Sequence, residues 1–174
     1  MLVKADIRGG LVLVALTTWF LAACGGKPPA KLNIGDIAPT FQTVRLDGMP
    51  AHFPAAWAGQ PVVVRFWADW CKFCEGEMKA IEAVYQRHKG SGGQGLDIIA
   101  INAGQDRKTV DAFIKKIGVS YPALMDEQSK IARSFGVVGL PTTYFIDARG
   151  IVRAKVVGEA DEATFERHAL ALLK

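Results

Sequence analysis

The sequence predicts one α/β domain built on a mixed sheet. Apolar runs of strand length alternate with amphipathic stretches of helix length, and the last two extended runs are joined by a short turn instead of a helix. A chain of 174 residues, half of them apolar, supplies enough material for one sizeable core. The resulting order, β-α-β-α-β-α-β-β-α, combines parallel crossovers with a terminal hairpin.

The first 23 residues differ in kind from the rest. Lys4 and Arg8 precede the uncharged apolar run "LVLVALTTWFLAA", and Cys24 follows it, which reads as an export signal rather than a structural helix. "LAAC", Leu21 to Cys24, resembles the bacterial lipobox and implies cleavage before Cys24 with lipid on its thiol; the competing reading is an uncleaved anchor with an incidental cysteine. Residues 24–34, "CGGKPPAKLNI", are rich in Gly and Pro without periodicity and read as a lipidated tether. Ten extended residues reach roughly 30 Å, so the domain at 35–174 is expected to sit close above the bilayer. Gly25 stands where many lipoproteins carry an inner-membrane retention Asp, which favours the outer membrane in a cell with two.

Within the domain, "FQTVRL" and the stretch around His52–Phe53 flank "DGMP", a hairpin signal. "PVVVRFWA" (61–68) is nearly all apolar, as in a central strand covered on both faces. A helix follows, with Cys74, Met78, Ile81 and Tyr85 on one stripe, ended by "SGGQG". "LDIIAIN" (96–102) is a second buried strand. Asp106 caps a helix with Val110, Phe113, Ile114 and Ile117 on its inner face and Gly118 at its end. "YPALM" is extended, and Asp126 is expected to open a helix closing at Gly136. "TTYFID" and "IVRAKVV" form a hairpin through "DARG", and Asp161 caps a last helix with Phe165, Ala169, Leu172 and Leu173 inward.

The net charge of +4 is modest and the Lys and Arg residues are scattered, without a basic stripe or interleaved aromatics. Nucleic-acid binding is therefore not expected.

Three cysteines are an odd count for an exported chain; with Cys24 lipidated, Cys71 and Cys74 remain as one pair. Three readings compete for this C-x-x-C. Zinc needs four ligands, but there is no second such pair, and His52, His88 and His168 lack ligand spacing. A structural staple across so short a loop removes little unfolded-state entropy. Redox exchange fits the placement at a helix start. Cys71 at the tip meets unpaired amides and the positive end of the helix dipole, which favour a thiolate, while Cys74 shares the buried stripe. On this reading Cys71 is the nucleophile and Cys74 the resolving thiol.

"FWADWC", the C-x-x-C and the downstream "GLPTTYFID" together resemble the thioredoxin fold over about residues 36–173. The extra helix and extended stretch at 104–125, with the N-terminal hairpin, resemble the TlpA/ResA-like branch of membrane-tethered, extracytoplasmic thiol-disulfide oxidoreductases. The resemblance implies a cis Pro141, with Leu140 offering its backbone to the partner disulfide and Trp70 shielding the cysteines, whereas Trp67 reads as core. It also matches Glu77 to an acidic residue near the cysteines, able to accept or return a proton. Two departures stand out. Lys72–Phe73 lies between the cysteines where this branch most often has proline second, and Lys72 should stabilise the Cys71 thiolate and make the pair more oxidising. Arg65 replaces the buried Asp of thioredoxins, and a buried guanidinium requires a partner, for which Glu77 is a candidate.

The implied activity is reduction of disulfides in exported client proteins, for example apocytochrome or copper-protein cysteines. A membrane electron donor would restore the dithiol, and neither cofactor nor metal is expected. Two alternatives compete with it. A peroxiredoxin-like peroxidase needs Thr or Ser three residues before Cys71, where Ala68 stands. A copper-delivery module of the Sco type would use C-x-x-x-C and a distal His.

Overall fold

The computed structural model describes residues 31–90 and 95–174. The expected signal peptide, Cys24, most of the expected tether and most of "SGGQG" lie outside the described residues. Leu32, the second described residue, is already buried in the core.

The β1 strand (Phe41–Val44) and β2 (Pro50–Phe53) pair antiparallel as the expected hairpin. A five-stranded mixed sheet follows, in the order β5-β4-β3-β6-β7: Ala123–Asp126, Asp97–Ala103, Val62–Trp67, Thr142–Ile146 and Val152–Val157. β3 runs parallel to β4 and β4 to β5, whereas β6 and β7 are antiparallel to their neighbours. Every β3 residue is buried, as its apolar run predicts for a strand covered on both faces. Side-chain alternation divides it between two cores. Val63 and Trp67 face the layer of α1 (Cys74–His88), α2 (Arg107–Ile117) and α4 (Glu162–Ala171). Val62, Val64 and Phe66 face the hairpin and α3 (Lys130–Ser134).

The hairpin protects one sheet edge. Leu46 N–H donates to Ala123 O at 2.8 Å, Arg45 bridges Leu124, and the Thr43 hydroxyl donates to the Met125 carbonyl, so β5 is not left as an open template. At the other edge, Gly35 N–H donates to Val152 O at 2.8 Å and Val152 N–H to Asp36 O at 2.9 Å, at the start of β7.

The capping expectations at Asp106 and Asp161 hold: their carboxylates accept from Thr109 N and Thr164 N at 2.9 and 2.7 Å. Gly118 adopts φ 72° at the end of α2. Asp126 corrects the expectation that it opens a helix. It ends β5, and from there its Oδ2 accepts the Ala132 amide at 2.8 Å, capping α3 from outside while Ser129 holds the N-cap position. On α1 the buried stripe runs through Val84, with Tyr85 only partly covered, and the helix stops at His88, ahead of the glycine cluster. The α4 helix ends at Ala171, and Leu173 beyond it is exposed instead of packed.

Candidate active site

The site forms where β3 ends, at the C-terminal ends of the parallel strands. The chain leaves Trp67 and turns back on itself. Cys71 N–H donates to Ala68 O at 3.2 Å and Cys74 N–H to Cys71 O at 3.0 Å, and the helix starts at Cys74 with Phe73 as its N-cap. Cys71 is therefore not the helical tip that the spacing suggests; it lies two residues outside the N-cap. No side chain caps this helix start, so its first amides and the positive end of its dipole stay unneutralised by a capping group. The two cysteines form a disulfide with Cα atoms 5.4 Å apart. Cys74 is fully buried and Cys71 is 7% exposed, so the outer sulfur is the one a partner can approach.

Beneath the disulfide lies a charge pair inside the core. Arg65 is fully buried, and its Nη1 and Nη2 donate to Oε1 and Oε2 of Glu77 at 2.7 and 3.0 Å; Nη1 also donates to Thr143 Oγ1 at 3.2 Å. Arg65 thus has the partner that its burial demands, and Glu77 is buried rather than a solvated helix residue. Glu77 stands three residues after Cys74, on the same face of α1. Its carboxylate is held by the guanidinium.

The remaining predicted residues spread around the rim. Trp70 is 69% exposed, so its ring faces solvent and not the interior; Trp67 is wholly buried and stacks on Phe113 at 4.8 Å, as a core residue. Lys72 Nζ lies 5.4 Å over the half-exposed ring of its neighbour Phe73, between the two cysteines in sequence. The Leu140–Pro141 bond is cis, and Leu140 packs against the cluster that contains both cysteines. None of the histidines joins them: His88 contacts Glu166 and His168 packs on Phe145. Among the described residues no group of three or more His, Cys, Asp or Glu could hold a metal ion.

Two contributors escaped the sequence reading. Gln105, in the turn after β4, accepts from Asp69 N–H at 2.9 Å and donates to Asp69 Oδ1 at 2.5 Å, holding the segment that carries Trp70. Its place at the end of a parallel strand, where sites of α/β sheets assemble, was the available signal. Glu75, in the first turn of α1, accepts from Lys116 and Lys79 at 2.6 and 2.9 Å. These two cations hold its carboxyl below the ordinary value, Lys116 more than Lys79.

A C-x-x-C disulfide between the central strand of this sheet and the helix that follows it, beside a cis-proline loop, defines a thiol-disulfide oxidoreductase. The AhpC/TSA family profile matches residues 34–155. The thiol-disulfide oxidoreductase ResA of Geobacillus kaustophilus is 33% identical over 91% of this chain and 88% of its own. A thiol:disulfide interchange protein from Chlorobium tepidum TLS superposes with a TM-score of 0.70 at 28% identity, over 82% of this chain and 99% of its own. A secreted thiol-disulfide isomerase from Corynebacterium glutamicum shares the fold, with a TM-score of 0.70 at 23% identity over 84% and 94% of the two chains. This chain belongs to the AhpC/TSA family, in its ResA-like thiol-disulfide oxidoreductase branch.

Proposed function

We propose that the protein is a lipid-anchored, extracytoplasmic reductant of disulfides in exported proteins. The observation that chiefly supports this is the Cys71–Cys74 disulfide, with Cys74 fully buried and Cys71 the more accessible of the two at 7% exposed, ahead of an uncapped helix start. In the reduced state the Cys71 thiolate attacks one sulfur of a client disulfide; a mixed disulfide forms and the other client sulfur leaves as a thiolate. The Cys74 thiol, after losing its proton, attacks the Cys71 sulfur. This releases the second client thiolate and leaves Cys71–Cys74 oxidised by two electrons. Glu77, on the same helix face and oriented by Arg65, is the proposed acceptor of the Cys74 proton. Leu140 would align the client backbone beside Pro141, with the exposed Trp70 ring offering an apolar surface to the client. A dithiol donor at the membrane returns the two electrons. Apocytochrome or copper-protein cysteines are suitable clients, because they must stay reduced to bind their group.

Two experiments test this reading. The reduction potential of the pair, from equilibration with glutathione, is expected nearer the roughly −270 mV of a reductant than the roughly −120 mV of a strong dithiol oxidant. A value above about −180 mV would reverse the direction. For the anchor, Cys24→Ser should abolish lipid labelling while the exchange chemistry of the isolated domain is unchanged; persistent labelling contradicts the lipobox.

A further inference from the structure

The geometry points to a client-selecting surface beside the Leu140–Pro141 loop: it accepts a segment with an apolar side chain two positions from the attacked cysteine and carboxylates close by. The inference rests on the exchange reading above and names the partner class of that same site. An open cavity of about 780 Å³ lies between the first described residues, the end of α3 and the end of β7. Its apolar wall includes Ile34, Val138 and Val157, all exposed, with Val138 at 90%. Valines and isoleucines this open are unremarkable singly; three around one cavity make a patch that a partner can cover.

The patch is continuous with the exchange site. Val138 lies two residues before Leu140, Val157 pairs with Thr142, and Gly158 N–H donates to Pro141 O at 2.8 Å. In an extended client, residues two apart share a face and lie roughly 6.5 Å apart. A client aligned along Leu140 with its cysteine at Cys71 would therefore carry its neighbour-but-one along the loop toward Val138, beside Val157.

The rim supplies the charge preference. Among the described residues Lys31, Arg133 and Lys155 line the cavity and no carboxylate does. Lys155 Nζ sits 4.9 Å over the Tyr144 ring, held near the apolar wall, and burial holds its ammonium below the ordinary lysine value. An arriving carboxylate would meet three cations with no competing anion in the lining, whereas a basic segment would be repelled.

The test uses the full chain carrying Cys24→Ser and Cys74→Ala, which leaves Cys71 as the sole thiol. Three ten-residue peptides each carry one cysteine as a mixed disulfide with thionitrobenzoate: one with Leu two positions away and two Glu, one with Leu and two Lys, one with Gly and two Glu. Attack by Cys71 on the peptide sulfur expels the coloured thionitrobenzoate anion. The Leu/Glu peptide is expected to react at least about fivefold faster than the Leu/Lys peptide at low salt, with the gap collapsing near 0.5 M salt. Arg133→Glu with Lys155→Glu should invert that order, and Val138→Asp should erase the preference for Leu over Gly. Both variants should react normally with 4,4′-dithiodipyridine, a small uncharged disulfide that needs no such surface. Equal peptide rates in the parent would overturn the inference and leave the cavity to another occupant, such as residues 1–30, a second copy or a membrane. A preference that survives both variants would overturn it as well. Loss of the dithiodipyridine reaction in the parent would instead sink the exchange reading, and the inference with it.

Discussion

Replacing Arg65 by Met should be among the costliest single changes in this domain. Met fills much of the space but removes the donors that Arg65 extends to Glu77 and Thr143, leaving a carboxylate only 3% exposed in an apolar wall. Breaking a buried ion pair from one side costs about 3–5 kcal/mol. Domains are stable by only ~5–15 kcal/mol, so a large share of the total is at stake. At a urea dependence of ~2 kcal/mol per molar, the unfolding midpoint should fall by roughly 1.5–2.5 M. The deficit should also depend on pH. Burial without a cation favours the neutral carboxyl, so in this variant Glu77 binds its proton more tightly folded than unfolded. Such a group contributes stability below the unfolded carboxylate range and loses it as pH rises, so the deficit is largest at neutral pH and shrinks toward about pH 4. Adding Glu77→Leu should recover most of the loss, because an apolar pair of similar volume often equals a buried ion pair. The assay is urea unfolding followed by circular dichroism, on oxidised and reduced protein. A single-variant loss below about 1 kcal/mol, or a double variant less stable than Arg65→Met, would refute the reasoning.

Two further changes probe the electrostatics. Lys72→Glu should raise the pH at which Cys71 becomes reactive toward iodoacetamide and Glu77→Gln should lower it, with the parent thiol titrating below the ~8.5 of free cysteine; a parent at or above that value would contradict the activated nucleophile. Burial raises the Asp97 carboxyl above its ordinary value, so its charge costs stability at neutral pH. Asp97→Asn should therefore raise the melting temperature near pH 7 and give no gain below the carboxylate range, and a neutral-pH loss would count against that burial cost.

The legible parts of the molecule were those encoded locally. The apolar run of β3, the α2 stripe and the aspartate caps at 106 and 161 each act within a few residues, and each appears where the pattern puts it. Arg65 was legible as a problem: a charge in a central strand must find an opposite charge, and Glu77 was the acidic residue suspected. Less was visible where long-range contacts decide. Whether α1 starts at Cys71 or Cys74 depends on a turn closed by backbone hydrogen bonds, which leaves no polar capping signature. Asp126 looks like a helix opener, yet the hydrogen bonds of β5 to β4 claim its backbone and leave only its side chain to α3. Gln105 gains its role only when β4 and β3 lie side by side, bringing residues 36 apart into contact.

Trapping of a client through one named sulfur tests the central claim most directly. Each single-cysteine variant, reduced and mixed with a disulfide-bonded protein, is quenched with acid and mapped by mass spectrometry. Cys74→Ala should accumulate a mixed disulfide at Cys71, because the more accessible of the two thiols survives and the fully buried resolver is gone. Cys71→Ala should accumulate almost none, since Cys74 is fully buried. Equal trapping by the two variants, or trapping only through Cys74, would contradict exchange that begins at Cys71.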